Sequence, residues 1–518
     1  MATLPSITFN KGQGGLGRSL PGSDYISGML IYTANGNLPS GFTTSARVKA
    51  LYALSDAVSA GIVNTYSDAT AAAFTYLITA AGATGDTIKF VVADLSLLGV
   101  AQSTSLGTYT KVAGDSSIAL LGASIAAAIN AGTITHGYSA TFATATLTVT
   151  APKRMGIYLN TGTPISVAIT GTIAGTLTQP ASATVGVASR TAVWYYHIKE
   201  FFRIQPKGVL YVGFYAVPSP YEFTEITTMQ TFATGTIRQI GVFKDPAAAY
   251  TTADLTAINT VCVANDDAKK PLSAIYAADL SGTTDISALT DLSLLTANKV
   301  SDCIAQDGAA QGNYLFLTTG KSSTCLGAML GTVAKAKVSE DIAWVGTFNI
   351  SNGTECEVIA FANGQKFTDA AITDNLLEAL NAKRHVFLKK FIGLSGSYWN
   401  DSHTAIAVTS DYAYIENNRV IDKATRVLYA ALLPSLNGPL QLNSDGTLSE
   451  TTVAYLESQA DVSLDALVRD GELSAKDVVI NPAQNVLSTS QIIIAVTLVI
   501  NGVARYIVVP IGFAPSIS

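Results

Sequence analysis

The chain has 518 residues, a length at which one hydrophobic core usually stops growing, so about three domains are expected. Apolar residues make up 48% of the sequence and charged residues only 13%, which suits tightly packed sheets and extensive subunit contacts. The formal net charge of −6 comes from scattered positions without any block of Lys or Arg, and this pattern disfavours nucleic-acid binding.

Membrane insertion and secretion are not predicted either. The longest apolar run, residues 492–500, is about half the roughly 20 residues that a bilayer-spanning helix needs. The stretch Met1 to Asn10 lacks a basic segment followed by an apolar one, so synthesis in the cytosol is expected.

No metal site, cofactor or disulfide framework is predicted, because the cysteines contain no CxxC pair and the histidines have no partner at ligand spacing. Buried reduced thiols and structural histidines are expected instead. The residues concerned are Cys262, Cys303, Cys325, Cys356, His136, His197, His385 and His403.

Residues 1–20 are predicted to form an extended N-terminal arm. A short strand-like piece, Ile7-Thr8-Phe9, precedes a glycine-rich stretch that matches GxGxxG at residues 12–17. A dinucleotide site needs a helix beginning on these glycines, whereas Pro21 and Gly22 interrupt any helix there. We therefore interpret the glycines as a flexible tether.

Residues 21–61 are predicted to begin a compact α/β core, and residues 62–190 an inserted β-rich domain dominated by Thr, Ala, Gly and Ser. The core start contains a strand over 24–32 and a helix over 43–60. In the insertion, Ser117 and Gly132 bracket a helix of apolar period, and a threonine-rich strand is predicted over 138–150.

Residues 191–400 are predicted to be the main α/β core, because strand and helix patterns alternate along them. The strands are expected at 209–215, 240–243, 272–277, 314–317 and 342–348, and the helices at 253–265 and 325–337.

Residues 401–518 are predicted to form a C-terminal α+β domain with a helix ending near Pro434 and a second helix over 450–467. The dipeptide Asn501-Gly502 separates two β-rich runs, 492–500 and 503–511, and Asn-Gly is the preferred type I′ hairpin turn. The sequence thus predicts a terminal β-hairpin. Its named positions are Ile492, Ile494, Val496, Leu498, Asn501, Gly502, Tyr506, Val508 and Ile511.

An isolated apolar hairpin is marginally stable and has open edges, so another strand should cover it. The Ile7-Thr8-Phe9 piece could supply that strand, to its own chain or to another subunit.

The Asn417–Asp422 series, the two helices, the terminal β-rich runs and the glycine arm together resemble contractile tail sheath proteins of bacteriophages and phage-tail-like injection systems. The resemblance covers the first 30 and last 120 residues best, and the insertion has no counterpart in it. It implies a structural subunit without catalytic activity that polymerises as stacked hexameric rings around an inner tube. It also implies contraction that drives the tube through a target envelope, and terminal arms that join adjacent subunits.

The implied partners are other copies of the chain, an inner tube protein, and baseplate and terminal cap proteins. The implied location is the bacterial cytoplasm during synthesis, then a virion tail or an injection particle. Charged residues of the C-terminal domain are candidates for contacting the inner tube, and a solvated helix surface is the alternative. These candidates are Lys423, Arg426, Asp461, Asp465, Arg469, Asp470 and Glu472.

Two other functions stay open at this point. The Thr/Ala-rich insertion resembles modules that decorate virion proteins, which favours another virion structural or surface protein. An α/β enzyme is the second alternative, although neither a GxSxG elbow nor a P-loop is present in the sequence.

Overall fold

The computed structural model describes residues 23–244, 248–277 and 279–513 and shows an α/β protein with several sheets and several hydrophobic cores. The expected fold class is confirmed. The predicted arm strand Ile7, Thr8 and Phe9 and the glycine motif at 12–17 lie outside the described residues.

The described chain begins with β1 (Ile26–Tyr32), β2 (Val48–Leu51) and α1 (Leu54–Ser59). The single helix predicted over 43–60 is therefore wrong in its first half. Val48 and Leu51 lie on opposite faces of β2 and belong to different hydrophobic cores, and β2 pairs antiparallel with the strand 209–215. Tertiary pairing here outweighs the helical spacing of the apolar residues.

A second unit with its own core follows between residues 70 and 187. Its elements are β3 (Ala73–Ala81), β4 (Thr87–Leu95), β5 (Ala101–Thr110), α2 (Ile118–Ala131), α3 (Thr133–His136), β6 (Ser139–Ala143), β7 (Thr146–Thr150), β8 (Ile165–Thr170) and β9 (Ile173–Thr178). The strands form one sheet of order β6-β7-β3-β9 and another of order β5-β4-β8.

Helix α2 confirms its prediction, since Ser117 caps its start by accepting a hydrogen bond from the Leu120 amide at 3.2 Å. The strand predicted over 138–150 is instead a hairpin of β6 and β7. Thr144 and Ala145, which separate the two strands, have φ angles of 45° and 68° and turn the chain back.

The two connections of this second unit meet at Asp68. Its carboxylate accepts hydrogen bonds from the hydroxyls of Ser189 at 2.6 Å and Thr191 at 2.8 Å, and from the Arg190 amide at 2.8 Å. The chain therefore enters and leaves the unit at one point.

The central part continues with α4 (Thr191–Ile204), β10 (Val209–Tyr215), α5 (Glu225–Phe232), β11 (Gln239–Phe243), α6 (Thr252–Asp267), β12 (Ser273–Ala277), β13 (Thr296–Ala297), β14 (Val300–Cys303), β15 (Ala305–Asp307), α7 (Gln311–Thr319), α8 (Leu326–Lys335), β16 (Ile359–Phe361), α9 (Asp374–Ala382), β17 (Leu388–Phe391), β18 (Leu394–Trp399) and β19 (Ala405–Ile406). The predictions of β10, β11, β12, α6 and α8 are confirmed.

Two predicted strands of this part are wrong. Residues 314–317 lie in α7, whose start is fixed because the Asp307 carboxylate accepts hydrogen bonds from the amides of Ala310 at 2.8 Å and Gly312 at 3.1 Å. Residues 342–348 form turns, in which the Phe348 amide donates to the Trp344 carbonyl.

The main sheet has the order β14-β12-β11-β1-β10-β2, and all of its pairings are parallel except that of β2. Along β1, Met29 and Ile31 join the core beneath α4 and α8, whereas Leu30 and Tyr32 join the core beneath α5 and α6. The sheet is therefore covered by helices on both faces.

Helices α4 and α8 approach closely at Gly327 and Gly331. A Cβ atom on Gly327 would lie 1.9 Å from the His197 carbonyl oxygen, and one on Gly331 would lie 2.9 Å from that of Phe201. The two glycines, four residues apart, thus let the helix backbones touch.

The C-terminal part comprises α10 (Ile415–Leu432), α11 (Glu450–Arg469), β20 (Leu473–Ile480), α12 (Val486–Thr489) and β21 (Ile494–Ile500). The two predicted long helices are confirmed, and their apolar faces pack together through Val420, Ala424, Leu464 and Leu467.

Candidate functional site

The predicted terminal hairpin is wrong, because β21 pairs with β20 rather than with the residues that follow it. The two strands run antiparallel from the pair Leu473 and Ile500 to the pair Ile480 and Ile494. Residues 501–513, called here the C-terminal segment, contain no strand. Within the part of the chain that the structure describes, no strand pairs with the other edge of β21.

Asn501 and Gly502 do not form the predicted turn. Neither residue has a positive φ, which a type I′ turn requires at both positions. The Asn501 amide donates to the Gly471 carbonyl at 2.6 Å and accepts from the Ser474 hydroxyl at 2.9 Å. The chain therefore continues past β21 along the protein.

The named hairpin positions fall into two groups. Ile492, Ile494, Val496 and Leu498 are partly buried against small cores that include residues of α11. Beyond Arg505, the large apolar side chains of the C-terminal segment are exposed. They are Tyr506 (86%), Ile507 (79%), Val508 (85%), Val509 (71%), Ile511 (96%) and Phe513 (110%).

Arg505 is the exception within the C-terminal segment, because its guanidinium enters a pocket lined by three carboxylates. It donates to Glu416 Oε1 at 2.6 Å, to Asp401 Oδ1 at 2.9 Å and to Asp341 Oδ2 at 3.1 Å. It also donates to the Ser402 hydroxyl at 3.2 Å. The guanidinium carbon lies 3.5 Å from the centre of the Tyr414 ring. We call Asp341, Asp401, Ser402, Tyr414 and Glu416 the Arg505 pocket.

The Arg505 pocket carries more negative than positive charge. Burial, with the neighbouring carboxylates of Glu416 and Asp401, raises the pKa of Asp341 to about 7. Burial acts to lower the pKa of Arg505, but the carboxylates of Asp401 and Glu416 raise it above its ordinary value. The positive charge of the Arg505 guanidinium therefore offsets the negative charges of these buried carboxylates.

The variant Asp341→Asn is expected to gain stability relative to the wild type as the pH rises from 6 to 8. The raised pKa means that folded Asp341 holds a proton below about pH 7 that the unfolded chain has lost, so wild-type stability falls through this window. The difference should grow by about 1 kcal/mol, measured by urea unfolding at both pH values. The exposed Glu378→Gln is the control, and a gain independent of pH would contradict the raised pKa.

Three of the predicted inner-tube contacts form ion pairs within the subunit, and two of them, Lys423 and Glu472, are buried. Lys423 Nζ lies 2.7 Å from Glu472 and 2.8 Å from Asp24, and Arg426 lies 2.7 Å from Asp24. Lys423 is 7% exposed and Glu472 6%. Since Asp24 lies two residues before β1 and Glu472 directly precedes β20, Lys423 holds the start of the described chain beside the C-terminal sheet.

The other candidate contacts remain accessible. Asp461 and Asp465 on α11 both bind Lys476 of β20, at 2.9 Å and 2.8 Å, with about half of each carboxylate side chain exposed. Arg469 and Asp470 lie at the exposed end of α11, 3.4 Å apart. These four residues stay a prediction.

A further buried ion pair connects the main sheet to α10. Lys299, directly before β14, binds Asp422 of α10 and lies 3.2 Å from Asp266 of α6. Lys299 and Asp422 are each 3% exposed. Burial acts to lower the pKa of Lys299, but the carboxylates of Asp422 and Asp266 raise it, so the lysine stays charged.

The carboxyl edge of the main sheet holds a cleft that bears on the enzyme alternative. Three of the polar side chains that line it already have partners. Lys244 binds Asp254 at 2.7 Å, Asp279 accepts from the Ser322 amide at 3.1 Å, and the Ser322 hydroxyl donates to the Ala362 carbonyl. The cleft therefore presents none of these three as a ready nucleophile or base.

Within residues 23–244, 248–277 and 279–513, no helix is both long and apolar enough to cross a bilayer. Over the same ranges, no group of three or more His, Cys, Asp or Glu side chains could hold a metal ion.

Sequence reasoning missed Arg505, Asp341, Asp401 and Asp24. One signal was available: Arg505 is the only charged residue between Ile492 and Phe513. A lone cation in so apolar a run indicates a specific acidic partner.

The chain matches two family models. The model of the DUF2586 N-terminal domain matches residues 4–403, and that of the DUF2586 C-terminal domain matches residues 411–518. No curated protein matches the chain.

Several solved structures are similar. The anti-feeding prophage helical sheath in its contracted state is 17% identical, with a TM-score of 0.45 over 61% of this chain and 81% of that one. The contracted PVC sheath complex of an extracellular contractile injection system is 15% identical, with a TM-score of 0.39 over 62% and 80%. The sheath tail protein Lin1278 of Listeria innocua is 10% identical, with a TM-score of 0.37 over 92% and 94%.

Proposed function

The chain belongs to the DUF2586 family, and from its sequence resemblance and its exposed C-terminal segment we propose that it is the structural subunit of a contractile tail sheath. In this proposal, copies of the chain polymerise as stacked hexameric rings around an inner tube. Contraction of the polymer drives that tube through a target envelope.

The observation that carries the proposal is the exposed C-terminal segment, which follows β21, a strand with one edge unpaired among the described residues. Six large apolar side chains between Tyr506 and Phe513 are each more than 70% exposed in the single subunit. Monomeric proteins rarely leave such a continuous apolar surface uncovered, and an open strand edge is a template for pairing. A second copy of the chain covers both features by strand addition.

The position of the chain start supports a contribution from the N-terminal arm. Lys423 binds both Asp24 and Glu472, so the described chain begins next to the first residue of β20. An arm that leaves from this point has the C-terminal sheets of its own and neighbouring subunits within reach. We assign the donated strand to Ile7, Thr8 and Phe9.

Buried ion pairs support the mechanical part of the proposal. Lys299, Lys423 and Arg505 each connect α10 or the C-terminal segment to the rest of the fold. In this proposal the C-terminal part and the main sheet move together as one rigid body during contraction. The terminal arms are the flexible connections between the rigid bodies of neighbouring subunits.

The accessible charges Asp461, Asp465, Arg469 and Asp470 are the proposed contacts with the inner tube protein. Baseplate and terminal cap proteins are the proposed partners at the two ends of the polymer. The proposed location is the bacterial cytoplasm during synthesis and then a virion tail or an injection particle.

The second candidate function is a different virion structural or surface protein. The unit between residues 70 and 187 favours it, because it has a separate hydrophobic core, to which Tyr314 of α7 also belongs. A decoration protein would form isolated rings or trimers, whereas a sheath subunit forms long tubes.

Negative-stain electron microscopy of the purified full-length chain is expected to show striated helical tubes. Deletion of residues 2–17 should leave a folded subunit that no longer forms tubes, because the strand that links neighbours is lost. Circular dichroism of the deletion variant checks its fold. Isolated rings from the wild type would favour the second candidate, and normal tubes from the deletion variant would refute the linking role of the arm.

A further inference from the structure

The C-terminal segment consists of a held part and a free part. Up to Arg505, side chains bind the protein: Asn501 contacts Gly471 and Ser474, and Arg505 fills its pocket. From Tyr506 onward the large side chains are exposed. The boundary between the held part and the free part therefore lies between Arg505 and Tyr506.

We propose that Arg505 is a fixed anchor, so that residues 501–505 stay on their own subunit in the polymer and the strand offered to a second copy begins at Tyr506. Only the part of this inference that concerns the strand offered to a second copy rests on the proposed function. Arg505 is thereby a positioning residue, since it sets where the donated strand starts and in which direction it leaves.

The chemistry of the pocket explains why the anchor stays in place during assembly. Among the described residues, Arg505 is the cation that forms salt bridges with Asp341 and Glu416. Withdrawing the guanidinium would leave buried carboxylates without compensation, which is strongly unfavourable. Charge-assisted hydrogen bonds to a planar guanidinium are also among the stronger polar contacts in proteins.

The nearby cationic groups cannot replace Arg505. Arg384 also lies over Tyr414, at 4.8 Å from the ring centre, but it donates to the carbonyls of Ala413 and Thr404. His403 lies 3.9 Å from Asp401, yet burial lowers its pKa to about 3, so it is neutral. The pocket thus depends on Arg505 for its charge balance.

The sequence beyond the anchor defines the donated strand. Tyr506, Ile507, Val508 and Val509 favour β structure, and Pro510 lacks the amide hydrogen that a ladder needs. The strand that pairs with a second copy is therefore 506–509, half the length that the sequence suggested for it.

Trypsin cleavage after Arg505 tests the anchor on the unassembled full-length subunit. The protease must bind the same guanidinium that the pocket holds, so release of the 506–518 peptide should be slow in the wild type. The double variant Asp401→Asn, Glu416→Gln is expected to release it at least tenfold faster. The single variant Glu416→Gln provides the same comparison if the double variant does not fold. Glu378→Gln, which removes an exposed carboxylate, is the matched control. Equal rates in wild-type and pocket variants would overturn the anchor.

A mixing experiment tests whether Arg505 stays on its own subunit in the polymer. Arg505→Ala subunits keep an intact pocket, and the double variant Asp401→Asn, Glu416→Gln keeps Arg505. If Arg505 of one copy could enter the pocket of another, a mixture of the two variants would therefore form tubes again. We expect no restoration, and restoration would overturn the inference. If the wild type forms no tubes, both the sheath assignment and the donated strand are refuted. Slow cleavage after Arg505 would still show that the pocket holds Arg505.

Discussion

Replacing Lys299 by alanine is expected to lower the free energy of unfolding by about 3–5 kcal/mol, because Asp422 is left as an unpaired buried charge. Lys299 and Asp422 are each 3% exposed, so water cannot compensate the loss. The pair joins the main sheet to α10, and the variant should therefore loosen the C-terminal part first. Urea unfolding measures the total loss, and hydrogen exchange along α10 locates it.

Lys476→Ala is the matched control for Lys299→Ala. Lys476 also binds two carboxylates, but the side chains of Asp461 and Asp465 are 49% and 58% exposed, so the loss should stay below about 1 kcal/mol. Adding Asp422→Asn to Lys299→Ala should restore part of the stability, since the unpaired charge is removed. Equal losses for the two lysine variants would contradict the importance of burial.

A chain that ends at Arg505 is expected to fold normally and to lose assembly. The removed side chains are exposed in the single subunit, so the free energy of unfolding should change by less than about 0.5 kcal/mol. In the polymer, burying even two of them contributes about 1.5–3 kcal/mol each, so the concentration needed for assembly should rise at least ~100-fold. Light scattering against concentration measures this threshold.

A chain that ends at Phe513 is the control for that truncation, because it keeps the whole described segment. It should assemble at nearly the wild-type concentration. Tubes formed at an unchanged threshold by the chain ending at Arg505 would show that the C-terminal segment does not link subunits.

The elements with regular local patterns were predictable from sequence. Helix α2 has a capping serine and a clear period, and α11 has an apolar stripe; both form as expected. The strands β10, β11 and β12 are β-prone runs buried on both faces of the sheet. In these places local preference and tertiary packing agree.

Prediction failed where distant residues decide the local conformation. The Asn501-Gly502 dipeptide has an intrinsic preference for a turn, but contacts with Gly471 and the insertion of Arg505 into its pocket oppose it. Residues 314–317 look like a strand, but Tyr314 packs into the core of the unit between residues 70 and 187 and donates to the Arg154 carbonyl, 160 residues earlier, at 2.6 Å. The predicted contacts Lys423 and Glu472 look like surface charges in the sequence, but they bind each other, and Lys423 also binds Asp24, which lies about four hundred residues earlier.

The junction at Asp68 makes the unit between residues 70 and 187 a natural place for engineering. Because the Asp68 carboxylate holds both connections of the unit together, a change of length at its outer turns is expected to leave the main sheet in place. The turns at Gly85 and Gly162 have open space beside them and can accept a fluorescent domain or an affinity tag. For the same reason, we expect insertions, deletions or replacement of this unit to be tolerated without a change in the fold of the rest of the protein.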